Sequence, residues 1–231
     1  MTRIVLFDVD NTLLYSGGAG SLAMRRAFQE LYGIEDGFQK VEFSGRTDWG
    51  ILRDAMRQHD LLDGNERDRF RDELPRFLET YYGLLPAALQ EATGGRVMPG
   101  VVELLEALSQ REGVRMGLGT GNFREAAFMK LRHFGLDGYL ADGGFGNDAE
   151  ERGKVIAMGI ERVAGGDAVD PRAVWVVGDT VLDVAAAKAN GVRVLGVATG
   201  STPLIELQAA GAHVTMRDLS DTEAVLSALV G

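Results

Sequence analysis

Two aspartates near the start of the sequence, Asp8 and Asp10, have the spacing of residues that act together. They follow a short β-branched and aliphatic run, residues 4–7, which predicts a buried strand. Side chains two residues apart in a strand share one face, so both carboxylates can face one metal ion or one reacting atom. Burying two like charges this close is unfavourable unless a cation or a proton compensates them. A solvated turn after an edge strand is the alternative that these two residues leave open.

Polar residues also lie at three later junctions between predicted strands and helices. Thr120 follows a strand and precedes a helix, where backbone N–H groups and the helix dipole favour an anion; simple capping of that helix is the alternative. Asp179 and Asp183 follow the most hydrophobic strand, and carboxylate oxygens suit Mg²⁺, although a capping role would explain Asp183 alone. Arg152 and Lys154 begin a helix, where a cation opposes the helix dipole; a solvated helix end is the alternative.

The region after residue 97 is expected to position most of these residues. Short apolar runs alternate there with amphipathic stretches, which is typical of parallel βαβ units. The predicted strands of this region span residues 115–119, 139–141, 173–177, 193–197 and 213–215.

The region before it, residues 21–96, has a helical pattern. We predict that a first helix ends at Gly33, that a second begins near Thr47, and that the helical stretch after residue 66 is interrupted near Pro75 and Gly83. Since this region carries no strand signal, it is expected to lie outside the sheet.

These patterns predict an α/β fold with a Rossmann-like parallel-sheet core and an inserted α-helical cap domain. The core is expected to comprise residues 1–15 and 97–231, and the cap residues 16–96. A chain of 231 residues is long enough for one large domain with a substantial insertion.

The composition excludes several classes of protein. A net charge of −10 argues against nucleic acid as a partner. The sequence has no cysteine, so it has no disulfide and no thiolate metal site, which fits a cytoplasmic protein. No apolar run is long enough to span a membrane, and the first residues lack the layout of a signal peptide. The composition leaves monomer and homodimer equally open.

The order of the polar motifs resembles the haloacid dehalogenase-like (HAD) hydrolase superfamily, in its phosphoglycolate phosphatase-like branch with a helical cap. The resemblance covers essentially the whole chain. Its motifs are Asp8-Val9-Asp10-Asn11-Thr12, then Thr120, then Arg152 or Lys154, then Gly178-Asp179-Thr180-Val181-Leu182-Asp183. Four motifs in the right order are far more specific than any one of them.

The resemblance implies a Mg²⁺-dependent phosphatase acting on a small phosphorylated metabolite. Asp8 would be the nucleophile that forms an aspartyl-phosphate, and Asp10 the general acid and base. The implied Mg²⁺ ligands are Asp8, Asp10 through its backbone carbonyl, Asp179 and Asp183. The basic residue and Thr120 would neutralise and hold the phosphoryl group. The further positions assigned to substrate or phosphate binding are Asn11, Thr12, Gly121, Asn122 and Arg46.

Some alternatives stay open at this point. The family's basic residue is usually a lysine followed by proline, and neither Arg152 nor Lys154 has one; helix periodicity favours Arg152 and residue type favours Lys154. Arg46, in a cap segment similar to that of phosphoglycolate phosphatases, could pair with a substrate carboxylate or simply lie on the surface. Asp10 favours phosphoryl transfer over carbon–halogen cleavage, and a phosphosugar mutase or a non-catalytic binding protein are the alternative functions.

Overall fold

The computed structural model describes residues 2–231. In chain order its elements are β1 (Arg3–Phe7), β2 (Leu14–Tyr15), α1 (Ala19–Tyr32), α2 (Asp48–Gln58), α3 (Glu66–Glu91), β3 (Arg96–Val97), α4 (Val101–Ser109), β4 (Val114–Gly119), α5 (Arg124–His133), β5 (Gly143–Gly144), α6 (Arg152–Ala164), β6 (Val174–Gly178), α7 (Val181–Ala189), β7 (Arg193–Val197), α8 (Leu204–Ala210), β8 (Val214–Met216) and α9 (Thr222–Val230).

Six strands form one parallel sheet in the order β5-β4-β1-β6-β7-β8. Strand β1 lies inside the sheet, with β4 on one side and β6 on the other. The chain first builds outward from β1 to β5 and then crosses to build from β6 to β8, so the strand order reverses beside β1. Ligands of open α/β sheets bind at the carboxyl ends of the strands at such a reversal. The predicted α/β fold with a Rossmann-like parallel sheet is confirmed.

Both faces of the sheet are covered by helices. Along β1, Val5 and Phe7 face the apolar cluster formed with α4, α5 and α9. The alternate residues Ile4 and Leu6 face a second cluster, formed with α6, α7 and α8. All four side chains are fully buried, each worth roughly 1.5–3 kcal/mol of transfer free energy. Burial on both faces explains why β1 is a continuous apolar run rather than an alternating one.

Helices α1, α2 and α3 pack on one another around a third apolar cluster, which Phe123 and Ala126 join from the start of α5 and the loop before it. The predicted end of the first helix at Gly33 and the start of the second after Thr47 are confirmed, since Gly33 has φ 68° and the Thr47 side chain accepts a hydrogen bond from the Gly50 N–H.

The predicted interruptions near Pro75 and Gly83 are wrong. Helix α3 runs without a break over 26 residues and contains Pro75 and Pro86. A proline inside a helix costs about 3 kcal/mol. The buried face of α3 offsets that cost, because its large side chains anchor the helix on both sides of each proline: Phe70, Phe77, Tyr81, Leu85 and Leu89.

The strand predicted at residues 139–141 is also wrong. The edge strand is β5, which pairs through Gly143 and Gly144 with the end of β4. A Cβ at Gly143 would lie 2.2 Å from the Leu118 carbonyl oxygen, so this close approach of two backbones requires glycine. Leu140 lies in a loop and is fully buried there, so its apolar character reflects burial and not a strand. Helix α9 and the pair β2–β3 had no sequence prediction.

Strands β2 and β3 form a short antiparallel ribbon, in which Leu14 pairs with Val97 and Tyr15 with Arg96. The Arg96 guanidinium lies 5.1 Å from the centre of the Tyr15 ring. Both chain crossings between the sheet and helices α1–α3 pass through this ribbon. We therefore propose the division into a core of residues 1–15 and 97–231 and a cap of residues 16–96. Among residues 2–231, no helix combines the length and the apolar character needed to cross a bilayer.

Candidate active site

Three aspartates meet at the carboxyl ends of β1 and β6. Asp8 directly follows β1, Asp179 directly follows β6, and Asp183 lies in the first turn of α7. All three are buried, and one carboxylate oxygen of each lies within 4.8 Å of the others. Their convergence follows from the topology, because neighbouring parallel strands end at the same edge of the sheet.

Arg152 is the cation of this three-aspartate cluster. It is the first residue of α6, and its Nη2 lies 2.9 Å from Asp8 Oδ1 and 2.7 Å from Asp183 Oδ1. The same nitrogen donates to the Gly119 carbonyl oxygen at 3.1 Å. With a side chain only 9% exposed, Arg152 pairs with Asp8 out of contact with most solvent, where ion pairs are screened least.

Lys154 lies elsewhere. Two residues further along α6, it points to another side of the helix, where its side chain is 64% exposed and pairs with Glu151. Of the two basic residues that the sequence left open, the structure brings only Arg152 to Asp8.

Burial and repulsion change the protonation of the cluster. Burial raises the pKa of Asp179 to about 8, and the charges of Asp183 and Asp8 add to the rise. Burial also raises the pKa of Asp8, against the opposing effect of the Arg152 guanidinium. Three carboxylates face one guanidinium here, so the fully ionised cluster carries an excess of negative charge. A divalent cation would offset that excess.

The donor set fits Mg²⁺. Carboxylate oxygens are the hard ligands that this ion prefers. Gly200 keeps the space beside Asp179 open, because a Cβ there would lie 1.8 Å from Asp179 Oδ2. Asp183 is held rigidly, since its Oδ2 accepts hydrogen bonds from the Thr180 N–H and hydroxyl at 3.1 Å and 2.7 Å, forming the capping box that begins α7. Asp183 thus has a capping role and also belongs to the cluster.

A cavity of about 480 Å³ opens at this end of the sheet. Its size suits a small metabolite. It is bordered by the loop after β1 that contains Asp8 and Asp10, the start of α1, the loop before α2 and the residues around Gly200. Four basic side chains reach its wall: Arg46, Arg96, Lys130 and Arg152. The same wall carries Asp8, Asp10, Asp48 and Asp179, so these basic side chains can pair with an anionic ligand once a cation offsets the carboxylates.

Asn11 and Thr12 form the turn after Asp10. Asn11 adopts φ 59°, in the left-handed region that asparagine tolerates better than most residues, and it borders the cavity. Its carbonyl oxygen accepts a hydrogen bond from the Thr199 hydroxyl at 2.5 Å. Thr12 is buried, and its hydroxyl donates to Asp179 Oδ1 at 3.4 Å. Asn11 can thus contact a ligand, whereas Thr12 supports Asp179.

The loop between β4 and α5 contains Thr120, Gly121 and Asn122. Gly121 and Asn122 border the cavity, whereas the fully buried Thr120 hydroxyl accepts hydrogen bonds from the Asn122 N–H at 3.3 Å and its Nδ2 at 2.9 Å. The alternative that this motif only caps the helix is wrong, because the N-cap position of α5 is Phe123. The Thr120 hydroxyl thus contacts Asn122, which borders the cavity.

Asp10 belongs to a separate polar group that the sequence did not reveal. Its Oδ2 accepts hydrogen bonds from Lys130 Nζ at 2.6 Å and Asn122 Nδ2 at 2.8 Å. Lys130 is only 4% exposed, and its Nζ also donates to Asn122 Oδ1 at 2.5 Å. The available signal was a lysine on the buried face of α5, between the buried Ala127 and Leu131. The Asp10 side chain is thus outside the three-aspartate cluster.

The segment before α2 places Arg46 on the cavity wall. Arg46 Nη2 lies 2.6 Å from Asp54 Oδ2, so its guanidinium is already held by one carboxylate. The next residue, Thr47, donates to the Glu150 carbonyl oxygen at 2.8 Å. Arg46 is therefore neither a free surface residue nor an unpaired charge.

Asp48 connects the cap segment with the core. Its N–H donates to the Gly121 carbonyl oxygen at 2.7 Å, and its Oδ2 accepts from the Phe123 N–H at 2.8 Å. Burial raises the pKa of Asp48 to about 7. The sequence marks Asp48 as part of a helix start and of the cap segment that contains Arg46. Its contacts with the core were not predicted, because these partners lie more than 70 residues away.

Known proteins resemble this chain in sequence and in fold. A family model described as haloacid dehalogenase-like hydrolase matches residues 2–191. A phosphoglycolate phosphatase of Rhodospirillum rubrum is 28% identical over 87% of this chain and 81% of its own length. A phosphoglycolate phosphatase of Mesorhizobium japonicum is 31% identical over 86% of this chain and 84% of its own length. A predicted phosphatase from Clostridium acetobutylicum has the same fold, with a TM-score of 0.70 and 20% identity over 98% of this chain and 99% of its own.

The chain therefore belongs to the haloacid dehalogenase-like hydrolases, in the branch similar to phosphoglycolate phosphatases. As a member of that branch it is an enzyme, a phosphoric monoester hydrolase. The family resemblance predicted from the motif order is thereby confirmed.

Proposed function

We propose that this enzyme is a Mg²⁺-dependent phosphatase that hydrolyses a small phosphorylated metabolite through an aspartyl-phosphate on Asp8. The observation that carries the proposal is the position of Asp8, buried at the end of the central strand, paired with Arg152 and bordering a cavity that also contains Asp10. A carboxylate nucleophile and a separate acid within one cavity are the parts that a two-step phosphoryl transfer requires.

In the first step, a carboxylate oxygen of Asp8 attacks phosphorus. The bond between phosphorus and the ester oxygen breaks, and its electron pair stays on the leaving oxygen. Asp10, as the carboxylic acid, gives its proton to that oxygen, so the product leaves as an alcohol. Arg152 favours the ionised form of Asp8 and neutralises charge on the phosphoryl oxygens.

In the second step, water attacks the phosphorus of the aspartyl-phosphate. Asp10, now a carboxylate, takes a proton from the water, the bond between phosphorus and the Asp8 oxygen breaks, and inorganic phosphate is released. Asp8 and Asp10 return to their starting states, so atoms and charges balance over the cycle. The N–H group of Gly121, together with Asn11, is suited to bind the phosphoryl oxygens, whereas the Asn122 N–H donates to the Thr120 hydroxyl.

The three-aspartate cluster would hold Mg²⁺, with the Asp10 backbone carbonyl as a further ligand. When bound, the ion reduces the repulsion between an anionic nucleophile and an anionic phosphate ester. The excess negative charge of Asp8, Asp179 and Asp183 supports this assignment.

The substrate that we propose is a small phosphate ester with a second anionic group, with phosphoglycolate as the first candidate. The curated relatives named phosphoglycolate phosphatase support this choice. The position of Arg46 and Arg96 on the cavity wall, together with the basic residues nearer Asp8, supplies cations for that second group.

The test is phosphate release from p-nitrophenyl phosphate and a panel of phosphorylated metabolites, with Mg²⁺ and after its removal by EDTA. We expect Mg²⁺-dependent release and a loss of at least about 10³-fold in kcat for Asp8→Asn, because the amide cannot act as the nucleophile. Asp63→Asn, an exposed aspartate outside the cavity, is the matched control and should retain full activity.

Two outcomes would contradict the proposal. Full activity of Asp8→Asn would exclude the aspartyl-phosphate on Asp8, and unchanged activity after EDTA would exclude the metal. A folded wild type that isomerises a hexose 1-phosphate without releasing phosphate would instead identify a mutase.

A further inference from the structure

We propose that Lys130 is the positioning residue of Asp10: it fixes the carboxyl so that one oxygen stays free to transfer the proton to the leaving group. This inference rests on the proposed function, in which Asp10 is the general acid. It concerns a lysine on α5 that belongs to none of the four sequence motifs.

The contacts of Lys130 are those of a side chain with one defined orientation. An ammonium has three donors, and two of them go to Asp10 Oδ2 at 2.6 Å and Asn122 Oδ1 at 2.5 Å. Asn122 in turn donates to Asp10 Oδ2 at 2.8 Å, which closes a triangle of hydrogen bonds. Because Lys130 is 4% exposed, leaving this charge unpaired would be costly, so the triangle persists.

The two carboxyl oxygens of Asp10 differ in their hydrogen bonds. Within the part of the chain that the structure describes, the side-chain hydrogen bonds of Asp10 go to Oδ2, and Oδ1 accepts none. Asp10 borders the cavity, and its side chain is 36% exposed. Oδ1 is therefore the oxygen available to carry the proton, and Lys130 and Asn122 restrict rotation of the carboxyl that would move Oδ1 away from the leaving group.

The cap helix α1 completes the setting of Lys130. A Cβ at Gly20 would lie 3.0 Å from Lys130 Nζ and 3.2 Å from its Cε. The same Cβ would lie 3.7 Å from the Tyr81 hydroxyl. Glycine at this position lets the backbone of α1 cover the ammonium group without displacing it. Lys130 thus lies between the acid of the core and the first helix of the cap.

The experiment compares how strongly catalysis depends on the leaving group. p-Nitrophenolate leaves readily without a proton, whereas the alkoxide of an alkyl phosphate requires one. We measure kcat/KM for p-nitrophenyl phosphate and for an alkyl phosphate that the wild type hydrolyses, since this constant reports on the first phosphoryl transfer. Lys130→Gln is expected to lower kcat/KM for the alkyl phosphate at least about 10-fold more than for p-nitrophenyl phosphate. Asp10→Asn gives the reference ratio.

Two further variants separate positioning from a merely structural role. Gly20→Ala keeps Lys130 and suits a helix, but its methyl group pushes against Nζ; it should shift the ratio in the same direction, by about 3-fold, with an unchanged melting temperature. Lys188→Gln removes an exposed lysine and should leave the ratio at the wild-type value.

If a folded Lys130→Gln keeps the wild-type ratio of kcat/KM for the two substrates, with or without an equal loss on both, the inference is overturned. The proposed phosphatase function would be unaffected by that result. If Lys130→Gln fails to fold, Gly20→Ala decides alone, and a wild-type ratio there overturns the inference. A wild type that releases no phosphate overturns the proposed function, and this inference with it.

Discussion

The two halves of the candidate site are built in different ways. Around Asp8, each side chain directly follows a strand or begins a helix of the parallel sheet, and ion pairs hold the group together. Around Asp10, the partners are a lysine in the middle of α5 and an asparagine in a loop, and the cap covers them through Gly20. The first half is set by topology, and the second by packing.

This difference has a consequence for function. Changes to the half around Asp8 should abolish the chemistry, because each residue there carries charge in the reaction. Changes to the residues that hold Asp10, and to the cap segment, should have smaller effects on rate, stability and selectivity, because those residues orient groups rather than react. The following predictions test this division, beginning with the largest expected effect.

Arg152→Met should lower kcat by about 10²- to 10³-fold, because it removes the cation that faces Asp8 and the phosphoryl oxygens. The matched variant Lys154→Met removes a solvent-exposed ammonium on the same helix and should change kcat less than about twofold. Steady-state kinetics at saturating Mg²⁺ measures both, with melting temperatures to establish folding. A larger loss for Lys154→Met would show that the side chains rearrange and that Arg152 has only a structural role.

Asp48 should make stability depend on pH. Burial raises its folded pKa to about 7, with Asp10 adding to the rise and Lys130, Arg152 and the Phe123 N–H opposing it. A carboxyl whose pKa is raised by folding stabilises the protein while it is protonated in both states. That contribution is complete below about pH 4 and is lost as the pH rises through about 7.

Asp48→Asn should therefore be more stable than the wild type at about pH 8, by on the order of 2 kcal/mol, and similar to it near pH 4. This difference is smaller than the full change in pKa would give, because solvent reaches part of Asp48. Urea unfolding at several pH values gives the free energy of unfolding of the variant and of the wild type. The contributions of Asp8 and Asp179 cancel in the difference between the two. A difference that does not change with pH would contradict the assignment.

Arg46→Ala should have the smallest of the three effects. We expect KM for phosphoglycolate to rise by about 5- to 10-fold, with little change for p-nitrophenyl phosphate, since only the former has a carboxylate. The effect is modest because Arg46 already pairs with Asp54 and must share its donors. Arg71→Ala, at an exposed position of α3, is the control. Equal changes on both substrates would indicate that Arg46 binds the phosphoryl group instead.

The half around Asp8 could be predicted because strand ends leave a local signature. One apolar run ends just before Asp8 and another just before Gly178-Asp179, which predicts that both carboxylates lie at the same edge of the sheet. For the basic residue, helix periodicity favoured Arg152, which lies at Asp8, whereas residue type favoured Lys154, which is exposed on another side of α6.

The half around Asp10 could not be predicted, because its contacts join residues far apart in sequence. Lys130 meets Asp10 across 120 positions, and nothing local to either residue specifies that meeting. Thr120 was expected to face the phosphate, but packing turned its hydroxyl toward Asn122. The unbroken course of α3 through Pro75 likewise depends on the tertiary burial of its neighbours, which overrides local propensity.

The ribbon of β2 and β3 links helices α1–α3 to the sheet. Strands β2 and β3 pair at Leu14 and Val97, and the Met98 N–H donates to the Leu13 carbonyl oxygen at 3.0 Å. The two chain segments that join the sheet to helices α1–α3 are therefore held to each other. Two connections that are hydrogen-bonded to each other restrict the relative movement of the two parts more than two separate connections would. Any movement of α1 relative to the sheet would change the access to the cavity and the cover over Lys130 together, because α1 borders both.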